Sequence, residues 1–435
     1  MNRVEVHVDG IDGVGGSDSG MTGDAVHAGS LTASFGGGRV LASSSFQYAP
    51  AYLAHARSYA MSPDLPLTSR RLYTDDTRSQ FGAFADAAPD EWGRKIVEAD
   101  HARRRRHDPD LPARLGLFDL LVGVSDRTRM GALRFRATDS PSDEWLSDGN
   151  GVASIHDLSR VIEVARRYDA NEATDDDIAY LSDIATSPGG ARPKANVVTD
   201  DGRLAIAKLP HSKDGAIDVE SWEALALTIA ARCAITVPRF ERVAARASAS
   251  VLVTHRFDRA ADGSRIGYIS AATAMSIGEH DGRSVSYVDF ADAVAELSEK
   301  PAHDLRELYA RIALTVLINN VDDHWRNHGF LRAATGWRLA PAFDLNPSRS
   351  RGVITSRPIS ADDDPRRRDL RSLIAVADAF GLAPEAAADI VRRVGEQVAS
   401  WSSVARELHI ADDQIEAMAV AFDEQQVEYA LSLGG

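Results

Sequence analysis

Thirteen residues, Asn-Asn-Val-Asp-Asp-His-Trp-Arg-Asn-His-Gly-Phe-Leu at 319–331, concentrate polar chemistry in one short stretch. Asp322 precedes Asn327 by five positions, and Asp344 follows within Leu-Ala-Pro-Ala-Phe-Asp-Leu at 339–345. One carboxylate there can receive or orient a hydroxyl proton. An amide oxygen and a second carboxylate supply the hard oxygen ligands that magnesium prefers beside substrate phosphates. The plain alternative is a polar turn whose Asp and Asn side chains cap neighbouring helix ends. A transition-metal hydrolase is a third reading, since His324 and His328 are four apart and flanked by Asp322 and Asp323. The stretch lacks the Glu of a His-Glu-x-x-His site, which counts against it.

A second set lies upstream. Ser-Pro-Gly-Gly-Ala-Arg-Pro-Lys-Ala occupies 187–195. The paired Gly189 and Gly190 let backbone N–H groups approach a phosphate, Ala191 continues the loop, and Arg192 and Lys194 add charge. Lys208 then falls near the end of a strand and Glu223 on the helix after it. Alone, Lys208 reads as a snorkelling strand-end residue and Glu223 as a solvated helix position. The order of loop, Lys, Glu, linking strand, Asp-x₄-Asn and Asp is the order in which protein kinases present their phosphate loop, phosphate-binding Lys and helix Glu, catalytic Asp and metal ligands.

These residues need rigid elements to hold them. Val4, Val6 and Val8 alternate with Glu5 and His7 as in a half-buried strand. Residues 10–38, dense in Gly, Ser and Asp, read as a long loop broken by short strands. Pro89-Asp90-Glu91 predicts a helix first turn, with the helix running to about His101. The basic run Arg103 to Arg106 after it is either a phosphate or partner contact or a solvated helix end. Residues 196–199 and 203–209 flank Asp200-Asp201-Gly202 as a β-hairpin. Helices are predicted over 220–233, 286–297 and 304–319, with 250–254 as a buried strand between them. Three more helices are expected over about 366–380, 384–404 and 412–431. A β-rich segment followed by a helical one argues for an α+β chain with two lobes.

The 435 residues allow two or three domains, and hydrophobic and charged fractions of 44% and 26% exclude wholesale disorder. No apolar run is long enough to cross a membrane, and the start lacks the layout of a secretory signal. With Cys233 as the single cysteine, no internal disulfide can form, so a reduced cytoplasmic setting is expected. Cys233 itself reads as a small core residue on its helix. A net charge of −15 excludes a wholly nucleic-acid-binding surface and leaves room for a local basic patch.

In the segments 84–94, 131–135, 187–195, 207–210, 256–259, 322–327 and 341–345, together with Glu223, the chain resembles the HipA-type serine/threonine kinase toxins of bacterial type II toxin-antitoxin systems. The resemblance implies a two-lobed protein-kinase-like α+β fold. It divides into a β-rich N-terminal subdomain over 1–145, a nucleotide-binding lobe over 146–258 and a mainly helical catalytic lobe over 259–435. It further implies ATP and Mg²⁺ as cofactors, with Asp322 catalytic and Asn327 and Asp344 on the metal. ATP would contact Gly189, Gly190, Ala191, Arg192, Lys194, Lys208, Glu223 and His324, with Thr254, His255, Arg256 and Phe257 as the adenine hinge. Ser187 would be an autophosphorylation site whose modification displaces the phosphate loop and switches the kinase off. A helix-turn-helix antitoxin of the HipB type would be the partner, with DNA reached only through it. The protein substrate would be an aminoacyl-tRNA synthetase or other translation factor, and no membrane is involved. A catalytically weak nucleotide-binding co-repressor working through the antitoxin is the alternative. Residues 10–38 depart from the compact N-terminus of the family.

Overall fold

Val4, Val6 and Val8 are fully buried on β1 (Arg3–Val8), the strand at which the N-terminal sheet is organised. A computed structural model describes residues 1–11, 25–138, 144–147, 149, 151–186, 190–245, 249–350 and 357–434. The chain divides into two units: Met1–Ser212 with His255–Asp281, and Lys213–Thr254 with Gly282–Gly435.

In the first unit, β1 pairs antiparallel with β2 (Val26–Phe35) on one edge and β5 (Leu133–Ala137) on the other. The sheet continues through β3 (Leu41–Tyr48) and β4 (Leu72–Tyr73), in the order β4-β3-β2-β1-β5. The ten-residue β2 corrects the loop expected over 10–38, of which 12–24 lie outside the described residues. Its inward positions are small, Ala28, Leu31 and Ala33, so the composition looks loop-like although pairing on both edges settles the conformation. Gly29 is required there: at φ +154° a Cβ would lie 2.2 Å from the Gln47 carbonyl oxygen. Phe46, Phe81, Phe84, Phe118 and Phe135 fill the core over this sheet.

A second group of strands in this unit comprises β6 (Ala153–Ser154), parallel to β7 (Lys194–Val198), which forms the expected hairpin with β8 (Leu204–Lys208). The helix Glu91–Arg105 starts after the N-cap Asp90, whose carboxylate accepts the Gly93 N–H at 2.6 Å, and runs one turn past the expected His101. Arg103 and Arg104 extend it by pairing back to Asp100.

Residues returning at 255–281 are held by buried charge. Asp258 is 0% exposed and accepts from Arg256 at 2.6 Å, Arg259 at 2.8 Å and the Gly131 N–H at 2.8 Å. Arg256 and Arg259 also donate to the Thr128 and Arg129 carbonyls, both at 2.8 Å. Burial pushes the Asp258 carboxyl up, but the two guanidiniums and the N–H outweigh it and hold it well below the usual carboxylate range. Fully buried Arg129 donates to the Leu121 and Val124 carbonyls, and burial lowers its guanidinium to about 10.

In the second unit, β9 (Phe240–Ala244) and β10 (Ser250–His255) form a hairpin, with register Ser250↔Ala244 to Thr254↔Phe240. The helix Val219–Arg232 matches its expected span, and Tyr287–Leu297 carries the expected capping box at Ser286 and Asp289. Cys233 is the C-cap of the first of these helices and half-buried rather than core, with burial raising its thiol to about 12. The helix expected from Asp304 begins three residues earlier, with Pro301 in its first turn, and ends at Leu317. Asp304 does not cap it; the carboxylate accepts from Arg338 at 2.8 Å and the Leu339 N–H at 3.1 Å. Leu308, Tyr309, Ile312, Ala313 and Leu317 are buried along this helix, which packs on Tyr287–Leu297 and Pro384–Ala399. The C-terminal region is more broken than the three expected helices: five α-helices occupy it among the described residues. The break at Ser400 lets Trp401 stack on Phe422 at 4.2 Å, with Trp222 at 6.1 Å from Trp401.

Replacing Asp258 by Ala strands two buried guanidiniums, so the loss of stability expected is about 3–5 kcal/mol. Because the native carboxyl titrates below its unfolded value, its contribution is present above that value, near pH 4, and lost as pH falls through the native one. Denaturant midpoints measured from pH 7 to pH 2 should fall less steeply for Asp258→Ala than for the parent; parallel curves would refute the assignment.

Candidate functional site

The long helix Pro301–Leu317 delivers the chain to the 319–331 stretch through a left-handed stop. Asn319 adopts φ +49°, its N–H reaches the Val316 carbonyl at 3.1 Å, and the Asn320 N–H reaches Thr315 at 3.0 Å. This Schellman arrangement satisfies the last carbonyls, and Asn tolerates the left-handed position better than most residues. The Asn319 side chain donates to the Ser348 and Ser350 carbonyls at 2.6 and 2.9 Å, tying the helix end to a later segment.

Beyond the stop, Asn327 folds back on Asp322. Its Nδ2 donates to the Asp322 carbonyl at 2.9 Å, and its backbone N–H to the His324 carbonyl at 2.8 Å. The Asp322 side chain is 64% exposed, with His324 Nε2 at 4.0 Å from its Oδ1. Asn327 Oδ1 has no hydrogen bond among the described residues, which leaves one fixed amide oxygen beside an accessible carboxylate. His324 Nδ1 is buried without a hydrogen-bond partner among the described residues. Asp344, five residues past the strand Trp337–Leu339, also adopts a left-handed conformation at φ +58°, and Asn346 donates to its Oδ1 at 3.1 Å. An exposed carboxylate for proton handling, and an amide oxygen and second carboxylate as hard ligands, form a donor set that suits magnesium.

Asp323, next to Asp322, has the opposite environment. It is 2% exposed and accepts from the Tyr287 hydroxyl, from His328 Nε2 at 2.8 Å and from Arg368 at 3.4 Å. Burial pushes its carboxyl up, and His328, Arg368 and His324 pull it below the usual range. Arg368 also donates to the Asn320 carbonyl at 2.5 Å, so the network grips both ends of the loop. His328 is thus committed to Asp323, and among the described residues no three His, Cys, Asp or Glu side chains converge on a metal position. The hydrolase reading gains nothing from this geometry. Tyr287, Asp323, His328 and Arg368 escaped the sequence reading; the five-residue spacing from Asp323 to His328 is the one local signal of their network.

The phosphate-loop residues belong to the first unit. Ser187 and Gly189 lie outside the described residues. Gly190 takes φ +99°, and its carbonyl accepts Lys194 Nζ at 2.7 Å. Lys194 is 1% exposed and pairs with Asp90 at 2.5 Å, while Trp92 Nε1 donates to its carbonyl at 3.1 Å. The ammonium expected to face a nucleotide is therefore spent on shaping the loop. Ala191 is exposed, and Arg192 and Lys208 are half-buried. Lys208 stands directly across the ladder from Lys194, a like-charge pairing that the Asp90 carboxylate offsets. Arg256, placed in the adenine hinge by the sequence reading, is buried against Asp258, and its N–H donates to the Leu204 carbonyl at 3.0 Å. Phe257 lies with its ring 6.0 Å from that of Tyr268, and His255 is half-buried at the end of β10. In the second unit, Thr254 is half-buried and Glu223 is 3% exposed on the helix Val219–Arg232.

Two family models match: a HipA N-terminal domain over residues 23–136 and a HipA-like C-terminal domain over 186–402. Among solved structures, the chain is similar to HipA of the Shewanella oneidensis MR-1 toxin-antitoxin system, in its complex with HipB and operator DNA. The identity is 15% and the TM-score 0.65, with 98% of this chain and 96% of that one covered. The Helicobacter pylori proinflammatory kinase CtkA matches at 16% identity and a TM-score of 0.42, over 56% of this chain and 92% of that one. No curated protein matches the sequence. The fold is accordingly the mixed, kinase-like one expected, β-sheet in its N-terminal region and helical in its C-terminal part.

Asp323→Ala, which strands Arg368 and His328, should cost about 3–5 kcal/mol. Tyr287→Phe, which removes one bond to a charged group, should cost about 1.5–3 kcal/mol. Denaturant unfolding of the two variants checks the order; an Asp323→Ala chain as stable as Tyr287→Phe would remove the network from its proposed place.

Proposed function

We propose that this chain, which belongs to the HipA family, is an ATP- and Mg²⁺-dependent protein serine/threonine kinase acting as the toxin of a toxin-antitoxin module. The observation that carries the reading is the clasp between Asn327 and Asp322: it fixes an amide oxygen and an exposed carboxylate at the five-residue spacing phosphoryl transfer uses.

In this reading Asp322 orients the substrate hydroxyl and accepts its proton as the new bond to phosphorus forms. Asn327 Oδ1 and the Asp344 carboxylate hold the metal, which when bound offsets the charge on the phosphates. Lys208 holds phosphate oxygens and Glu223 orients it, while the backbone around Gly189, Gly190, Ala191 and Arg192 cradles the nucleotide. Thr254, His255 and Phe257 contact adenine, with the His324 imidazole near the phosphates. Lys194 and Arg256 support these residues from below rather than touching the nucleotide, since both are committed to buried carboxylates. Catalysis comes from positioning and charge neutralisation.

Ser187 is the proposed autophosphorylation site. The partner is a helix-turn-helix antitoxin of the HipB type, through which the chain reaches DNA. The target is a protein of the translation apparatus such as an aminoacyl-tRNA synthetase, and the setting is cytoplasmic. Among the described residues no helix is long and apolar enough to cross a membrane.

Incubated with ATP and Mg²⁺, the chain should incorporate phosphate at Ser187, and Asp322→Asn should lower the rate at least ~100-fold, as loss of a positioned base does. Chelation of the metal should stop incorporation. Nucleotide binding without transfer to any protein would assign the co-repressor role instead, and undiminished labelling in Asp322→Asn would end the kinase assignment.

A further inference from the structure

The basic run Arg103 to Arg106 is split in two by the fold. Arg103 and Arg104 turn back to Asp100 on their own helix, at 2.8 and 3.0 Å. Arg105 and Arg106 face the other way, into a cavity of about 560 Å³ closed on its far side by the loop after the helix. That loop is pinned by His101, whose Nε2 meets the Pro112 carbonyl at 2.8 Å, and by Arg105 Nε, which donates to the Leu111 carbonyl at 3.3 Å. Arg94 and Arg114 complete the cationic lining, against the single carboxylate of Glu98.

The charge balance of this cavity is unlike that of the chain. Four arginines and one glutamate leave three positive charges, and Asp175, which pairs with Arg106 from outside the lining, reduces them to two. Arg94 is engaged with Glu98 at 2.8 Å. The terminal nitrogens of Arg105 and the whole guanidinium of Arg114 make no hydrogen bond or ion pair among the described residues. In a chain of net charge −15, two uncommitted guanidiniums in a concavity are an unusual concentration of unspent donors. The negative end of the helix dipole accounts for one basic turn at this place. It does not account for Arg114, which the loop brings in from nine residues beyond the last turn.

We propose that this cavity binds a small phosphorylated anion of two or more negative charges, of the diphosphate class, held by Arg105 and Arg114. Guanidinium forks match phosphate oxygens in pairs, and the volume falls within the ~300–1,000 Å³ usual for small-ligand sites. It exceeds what one phosphate fills, so the ligand carries a further group beside its charged end. A concavity walled by one helix end and its own loop suits a compact ligand better than the extended backbone of a duplex, which asks for a row of cations along a ridge. The site stands apart from every residue assigned to the kinase reaction, and the proposal holds whether or not that reaction is confirmed.

The test is calorimetric titration of the full-length chain with inorganic pyrophosphate, in a Lys208→Ala background that removes the proposed nucleotide contact. Saturable binding should weaken at least ~tenfold in Arg105→Gln/Arg114→Gln. It should also fall as salt rises, because these side chains are exposed. Thermal unfolding of the double variant should match the parent, since neither head group supports the fold. Pyrophosphate affinity unchanged by the double substitution, or no saturable binding in the parent, would overturn the proposal. So would retention of mixed-sequence duplex DNA that depends on the two arginines while pyrophosphate fails to bind, since that result makes the patch a nucleic-acid surface.

Discussion

A carboxylate sealed from water, Asp258, is the constraint around which the first unit closes. An ionised Asp at that depth is tolerable only with matched donors, and the chain supplies two guanidiniums and a backbone N–H from a segment more than a hundred residues upstream. The same guanidiniums occupy the Thr128 and Arg129 carbonyls, so the 124–131 turn and the 255–281 segment cannot be solvated separately without stranding charge. This explains why the unit is discontinuous in sequence. The segment that follows β10 is claimed by buried electrostatics, and its membership in the first unit follows from charge rather than from proximity along the chain.

The adjacent aspartates 322 and 323 show how solvation divides labour between identical side chains. Asp322 keeps its carboxylate in water, where it can meet a substrate, while Asp323 is buried among Tyr287, His328 and Arg368. The buried one anchors the loop at a fixed depth, and the left-handed stop at Asn319 fixes its direction of departure. Between them they leave Asp322 little freedom of position, and a positioned group lowers the entropy a reaction must otherwise lose.

Periodic elements were legible in the sequence: the valine alternation of β1, the Asp-Asp-Gly hairpin and the Ser286 capping box all lie where pattern and turn chemistry put them. Spacing likewise marked Asp322 and Asn327, which the fold joins by a direct hydrogen bond. What escaped depended on tertiary partners. The strand β2 has too little side-chain bulk to announce itself, and Asp304 looked like a cap because nothing local revealed Arg338. Lys194 and Arg256 looked like ligand contacts because their carboxylate partners stand far off or belong to a motif whose purpose is packing. A long-range ion pair leaves no periodicity behind, so residue type alone cannot distinguish a cation waiting for a ligand from one already neutralised.

The buried Lys194 ammonium has one further consequence. It grips Asp90 at the head of a helix and the Gly190 carbonyl in the same stroke, so the base of the glycine loop is riveted to the scaffold on one side only. Any swing of the chain that precedes it must turn about Gly190, where the absence of a side chain makes rotation cheap, and must stop there. The protein thereby carries a built-in pivot: whatever happens upstream of it, the strand that bears Lys194 stays where it is.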